Sequence, residues 1–195
     1  QDYSEETAKR IDDEVARIMK EAHDRAYEIL SAHREQMDAL DRLGLAYEIC
    51  PGVSSFCGAA AALKAEYTLP NVSQTVILTR MEGRTPVPER EQIESLAAHG
   101  ATMVIFLSAG QLEKLSARLI EGGYAPETPA AIVYKATWPD EKVVRTTVGE
   151  LAAAGAREGI TKTALITVGG FLGDSYDRSK LYDPAFTTGF REASR

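Results

Sequence analysis

Residues 4 to 43 run without a proline or a glycine, and this constrains the chain more than any other feature. Within them Ile11, Val15, Ile18, Ala22, Ala26 and Ile29 recur at helical spacing, with Met19 and Leu30 beside the stripe. That period of 3.6 residues predicts one long amphipathic helix with a single narrow apolar face. Ser4 is placed to cap its start, and Glu5 and Glu6 put negative charge in the first turn, where the helix dipole favours it. Gly44 follows as a C-terminal stop. A helix with so thin a stripe is not stable on its own and must pack on a partner surface.

Beyond Gly44 the pattern changes to alternating strands and helices. Short apolar runs rich in β-branched residues occur at 46–50, 75–79, 102–107, 130–135, 143–148 and 164–168. They read as strands inside a covered sheet. Helical stretches are expected at 55–65, 88–98, 110–121 and 147–158. Gly83, Pro86 and Pro88 mark a loop, as do Gly122-Gly123 and Trp138-Pro139-Asp140. The expected fold class is therefore α/β: a mixed sheet flanked by helices on both faces, preceded by a long helix. Residues 173–195 read as a tail laid over the surface, with Tyr176, Tyr182, Phe186 and Phe190 fixing it to the sheet.

Charge separates the same two parts. Residues 1–43 carry 12 acidic and seven basic side chains, against 17 and 15 over the remaining 152. The total of −7 argues against a nucleic-acid groove or an anionic membrane surface. No apolar run reaches the roughly 20 residues of a membrane span, and no signal-peptide core opens the chain. A cytoplasmic setting is expected. Cys50 and Cys57 flank the Pro51-Gly52 turn and could bridge, though buried free thiols are the expectation for such a compartment.

Four strings carry a resemblance: "AYEICPGVSSF", "QTVILTRMEGRTPVPE", "VYKATWPDEKVVRTTV" and "RSKLYDPAFTTGFR". Together they resemble the C-terminal half of the cobalt-precorrin-4 C11-methyltransferases. These belong to the tetrapyrrole methylase family, enzymes of cobalamin biosynthesis that use S-adenosylmethionine. The likeness covers about residues 35–195. A second string, "DYSEETAKRIDDEVARIMKEAHDRAYEILSAHR", resembles the helical C-terminal part of the peptidase domain of FtsH-class zinc metalloproteases, over about residues 2–34. The two resemblances imply a fusion: a grafted helical segment, residues 1–34, ahead of a methylase C-terminal domain, residues 35–195, with the seam near 31–36.

The methylase resemblance implies a cofactor cleft between two domains, the first supplying a Gly-rich loop and a Gly-Asp-Pro motif. Neither string is in this sequence, and Gly-Asp occurs only at Gly173-Asp174. The second wall is implied to use Ser54 and Ser55 after the Pro-Gly turn, Leu107 after its strand, and Ala136 in "VYKA". Relatives often carry Met and Gly at the positions of Leu107 and Ala136. Ser54-Ser55 would equally suit a helix N-cap. Arg80 and Arg84 could meet the carboxylates of an acidic tetrapyrrole, or belong to a solvated, partly ion-paired loop with Arg90 and Glu82. Trp138 could stack on a ring or simply pack.

Peptidase chemistry has no support. The three histidines, His23, His33 and His99, form no HExxH, no phosphate-binding Walker string is present, and no metal site is expected. Methyl transfer depends on orientation, so a lone wall of the cleft is expected to lack catalysis, with no catalytic residue assigned. Two alternatives stand beside this. One is residual binding of S-adenosylmethionine or S-adenosylhomocysteine, or weak methylation. The other is oligomerisation, as a homodimer through the sheet domain or the N-terminal helix.

Overall fold

In the computed structural model, residues 5–44, 48, 50–177, 179–180, 183, 185–187, 189 and 192 are described. The side chains of residues 5–9, 11, 12, 15, 16, 37, 40 and 41 fall outside that description. The capping role of Ser4, the side chains of the stripe positions Ile11 and Val15, and Tyr182 and Phe190 therefore lie outside the described residues, as does most of the strand expected at 46–50, whose described residues 48 and 50 are not in a strand. The chain divides into two units, residues 1–53 and residues 54–195. The expected junction at 34/35 lies inside the first of them.

The first unit realises the proline-free, glycine-free run as two helices, α1 (Glu5–Ala32) and α2 (Arg34–Leu43), interrupted only at His33. The His33 N–H still reaches Ile29 O at 3.1 Å, and its Nδ1 lies 2.8 Å from Gln36 Oε1. Gly44 ends α2 with φ 61°, the left-handed stop its position implied. On α1, Arg17 pairs with Glu14 and Glu21, and Lys20 with Asp24, all three or four residues apart. The stripe residues Ile18, Met19, Ile29 and Leu30 are 52%, 65%, 50% and 51% exposed. His23, on α1, and His33, at the break between the two helices, are both exposed.

The second unit is built on five strands: β1 (Val76–Arg80), β2 (Thr102–Phe106), β3 (Pro129–Tyr134), β4 (Lys142–Thr147) and β5 (Ala164–Val168). They lie in the order β1-β2-β5-β3-β4. Only β1 and β2 are parallel, in register Leu78 with Val104. Strand β5 runs antiparallel between β2 and β3, with Ile166 opposite Ile105 on one side and Ile132 on the other. Strands β3 and β4 form a hairpin, Ile132 opposite Val144.

Strand alternation makes two apolar layers. Met103, Ile105, Ala130, Ile132, Ile166 and Val168 face one way, covered by α4 (Ile93–Ala97), α5 (Leu112–Glu121) and α6 (Leu151–Arg157) through Ile93, Leu115, Leu119 and Leu151. Val104, Ala131, Val133 and Leu165 face the other way, against Ala59 and Leu63 of α3 (Ser55–Leu63) together with Tyr67 and Phe171. A strand covered on both faces needs a continuous apolar run. The three inner strands β2, β5 and β3 have it, while the edge strands β1 and β4 end in or carry polar residues and are only partly buried. The mixed sheet flanked by helices is as expected.

Three local readings change. The helix expected at 88–98 is a 3-10 turn, Glu89–Glu91, followed by the short α4. The helix expected from 147 starts at Leu151, because Thr147 still pairs with Pro129 as the last residue of β4. Cys50 and Cys57 are free, but both are exposed rather than buried. Of the tail aromatics expected to fix it to the sheet, Tyr176 and Phe186 are 55% and 39% exposed.

Candidate functional site

The strand directions bring three chain segments to one edge of the sheet. Because β5 runs opposite to β2 and β3, its start at Ala164 lies beside their ends at Phe106 and Tyr134. A pocket of about 220 Å³ opens there. Its walls come from Phe106 and Leu107 after β2, Val133, Lys135, Ala136 and Trp138 around the end of β3, and Thr163, Ala164 and Leu165 at the start of β5. Ser55, the first residue of α3, completes the lining.

Three of the four residues expected at a cofactor wall, Ser55, Leu107 and Ala136, thus line one pocket. Ser54 is the adjoining N-cap residue. It is extended, with φ −73° and ψ 148°, and its hydroxyl makes no capping bond. Its carbonyl accepts from Cys57 N–H at 3.0 Å. The side-chain cap that competed with a binding role is therefore not formed.

Backbone conformation sets this edge apart. Six non-glycine residues have positive φ among the described residues, and four of them gather here: Leu107 (53°), Lys135 (48°), Thr137 (71°) and Thr163 (56°). Left-handed backbone is costly for residues with a Cβ, above all β-branched ones, and persists where surrounding structure imposes it. Lys135 N–H donates to Thr163 O at 2.9 Å, coupling two of the four. Leu107 is 83% exposed, a large apolar side chain left in solvent beside an apolar wall. Helix α3 approaches closely as well: a Cβ on Gly58 would stand 3.1 Å from Thr137 Cγ2.

The turn after β3 is tied by polar contacts. Lys135 Nζ bonds Asp140, which raises the lysine pKa and lowers that of the carboxylate. Thr137 N–H donates to Glu141 Oε2 at 2.6 Å. The Lys135 ammonium also lies over the Trp138 ring, 5.2 Å from its centroid. Sequence reasoning left Trp138 between stacking on a ring and packing, and passed over Lys135 and Thr163. Nothing in a single sequence marks a threonine for left-handed backbone.

The substrate-side arginines do not join this pocket. Arg80 folds back onto its own loop: its guanidinium donates to Met81 O at 3.0 Å, Thr85 O at 3.3 Å, Thr85 Oγ1 at 3.1 Å and Pro86 O at 3.0 Å. Arg84 is exposed and makes no ion pair among the described residues. Glu82 pairs with neither of them. It meets Lys114 Nζ and Arg118 Nη1, each at 2.7 Å, and Arg118 Nε reaches Glu94 Oε1 at 3.1 Å. The hydrogen bond from Lys114, with help from its own backbone and the Arg118 charge, holds the Glu82 carboxyl down at about 2. Among the described residues no cluster of His, Cys, Asp and Glu could hold a metal ion, and no helix is long and apolar enough to cross a membrane.

Comparison with known proteins places this geometry in context. A sequence profile of the tetrapyrrole (corrin/porphyrin) methylases matches residues 27–152, and one of peptidase family M41 matches residues 1–52. A cobalt-precorrin-4 C(11)-methyltransferase of Methanocaldococcus jannaschii is 52% identical over 86% of this chain and 65% of its own length. The X-ray structure of a cobalt precorrin-4 methyltransferase of cobalamin biosynthesis superposes with a TM-score of 0.68 at 50% identity, covering 75% of this chain and 62% of that one. A Thermus thermophilus uroporphyrin-III C-methyltransferase, solved with S-adenosylhomocysteine, shares the fold at 22% identity and a TM-score of 0.54, over 71% and 59% of the two chains. This chain thus spans a little under two thirds of the archaeal relative it matches.

Proposed function

We propose, from the premise that this chain belongs to the tetrapyrrole (corrin/porphyrin) methylase family, that its α/β unit is one wall of an S-adenosylmethionine site. These 195 residues alone bind the cofactor or S-adenosylhomocysteine weakly and do not turn it over. The observation that carries this reading is the convergence of Ser55, Leu107 and Ala136, three sequence-distant residues, on one pocket. The pocket also fits the group chemically. An apolar floor of Phe106, Val133 and Leu165, edged by backbone in unusual conformations, suits a nucleoside held by shape and main-chain polar groups.

Bound S-adenosylmethionine supplies an electrophilic methyl group on its sulfonium. The residues of this chain would contribute position: Leu107 and Ala136 along the base and sugar, Ser54 and Ser55 at the start of α3. Arg84, which makes no ion pair among the described residues, would offer a cation to a substrate carboxylate, while Arg80 shapes the loop that carries it. Transfer requires the sulfonium and the acceptor carbon to be held in line, an effect worth about 7–11 kcal/mol when complete. The Gly-rich strings implied for the opposite wall are not in these 195 residues, so most of that orientation is expected to be lost. The profile match over residues 1–52 supports a second, peptidase-like origin for α1, and hence a chimera, though one without peptidase chemistry.

Calorimetric titration with S-adenosylhomocysteine tests the reading. Saturable heat at micromolar to low millimolar ligand is expected, and silence at millimolar ligand from a folded sample overturns it. A second reading, self-association into a homodimer through α1, is favoured by the exposure of Ile18, Met19, Ile29 and Leu30.

A further inference from the structure

We infer that Trp138 is the stacking platform for the adenine base of the nucleoside, an assignment that rests on the cofactor reading of this pocket. Trp138 is the single tryptophan of the chain. It lines the pocket yet stays 55% exposed, so it is not there to fill the core. An indole left this exposed forgoes a large apolar burial, which a flat ligand laid against it would recover.

The turn that carries the ring is already ordered. Trp138 N–H donates to Lys135 O at 2.9 Å, and Glu141 N–H donates to Trp138 O at 3.0 Å. Left-handed backbone at Lys135 and Thr137 brackets the segment. The Lys135 ammonium, anchored on Asp140, sits over the ring and braces it by a cation–π contact. A single cation covers one face of an indole, and Trp138 as a whole stays more than half exposed while lining the pocket. A platform braced in this way loses little freedom when a base stacks on it.

Pocket size selects the partner. A space of about 220 Å³ is in the range that accommodates a bicyclic base with part of its sugar. Stacking is sequence-tolerant chemistry in which any purine face serves, so recognition would extend to adenosine itself. It would not extend to homocysteine, which has no ring.

Because Trp138 is alone, its emission reports on this pocket only. S-adenosylhomocysteine and adenosine should each change that emission saturably, with midpoints matching their calorimetric dissociation constants, and homocysteine should not. Trp138→Ala should weaken both ligands by about fivefold or more, the lower end of base–aromatic stacking. Trp138→Phe, which keeps an aromatic face, should stay within about threefold of the parent. Calorimetric binding with unchanged emission, or with parental affinity in Trp138→Ala, overturns the platform and leaves the cofactor reading standing. No heat from S-adenosylhomocysteine with the folded parent overturns both. The emission titration needs no variant, so a poorly folded Trp138→Ala would not shield the proposal.

Discussion

At the scale of single residues, the same side-chain type serves different ends according to what surrounds it. Arg80 and Arg84 are four apart and read alike in the sequence. In the fold, Arg80 spends its guanidinium on three carbonyls and a hydroxyl of its own loop, while Arg84 stays in solvent. Glu82 between them turns away to Lys114 and Arg118, neither of which is near it in sequence. The local string cannot reveal such pairings, because they depend on α5 being packed under the loop. The consequence is a pH dependence. The Glu82 carboxyl lies at about 2 when folded, below its ordinary value, so its charge contributes stability above pH about 4.5 and that contribution is lost as pH falls through about 2. Glu82→Gln should therefore lower the melting stability at neutral pH by about 1 kcal/mol, with the partial exposure of the pair limiting the effect. The gap to the parent should close between pH about 4.5 and 2. A gap that stays constant across a pH series of thermal melts would show that Glu82 acts by packing rather than by charge.

At the scale of elements, the apolar pattern located all five described strands to within a residue or two at each end. In the structure their alternation separates two layers, Ile105 and Ile166 from Val104 and Leu165. Helix boundaries were less legible. The helix expected over 88–98 is not continuous: the chain makes a 3-10 turn before α4. Close approach decides another detail here. A Cβ on Gly122 would stand 2.5 Å from Ala97 Cβ and 2.6 Å from Glu94 O, with ordinary φ at −76°, so this glycine is required by the contact between α4 and α5 and not by its own backbone. Gly122→Ala should cost about 1–3 kcal/mol, typical of overpacking against backbone that cannot yield. Chemical denaturation checks it: a shift in midpoint at constant slope is expected, and no shift would mean that the two helices slide apart easily.

At the scale of the whole molecule, the chain is two units with different debts to their surroundings. Both apolar layers of residues 54–195 are built from residues of that unit, whereas α1 exposes Ile18, Met19, Ile29 and Leu30 of the stripe its periodicity marked for burial. Ile18→Asp should consequently change the oligomeric state read by light scattering if α1 pairs with a second copy, and leave the affinity for S-adenosylhomocysteine within about twofold, since Ile18 does not line the pocket. A loss of ligand affinity in the variant would tie the helix to the pocket. By itself the sequence determined the amphipathic helix, the strand-rich α/β half and the residue types at Ser54, Ser55, Leu107 and Ala136. These are properties of spacing, β-branching and local strings, carried by neighbours in the chain. Only the tertiary structure decided that Ser55, Leu107 and Ala136 share a pocket with Trp138 and that Arg80 is consumed by its own loop. The antiparallel insertion of β5 between β2 and β3 brings together segments about 30 residues apart, and no local pattern encodes which strand ends will be neighbours.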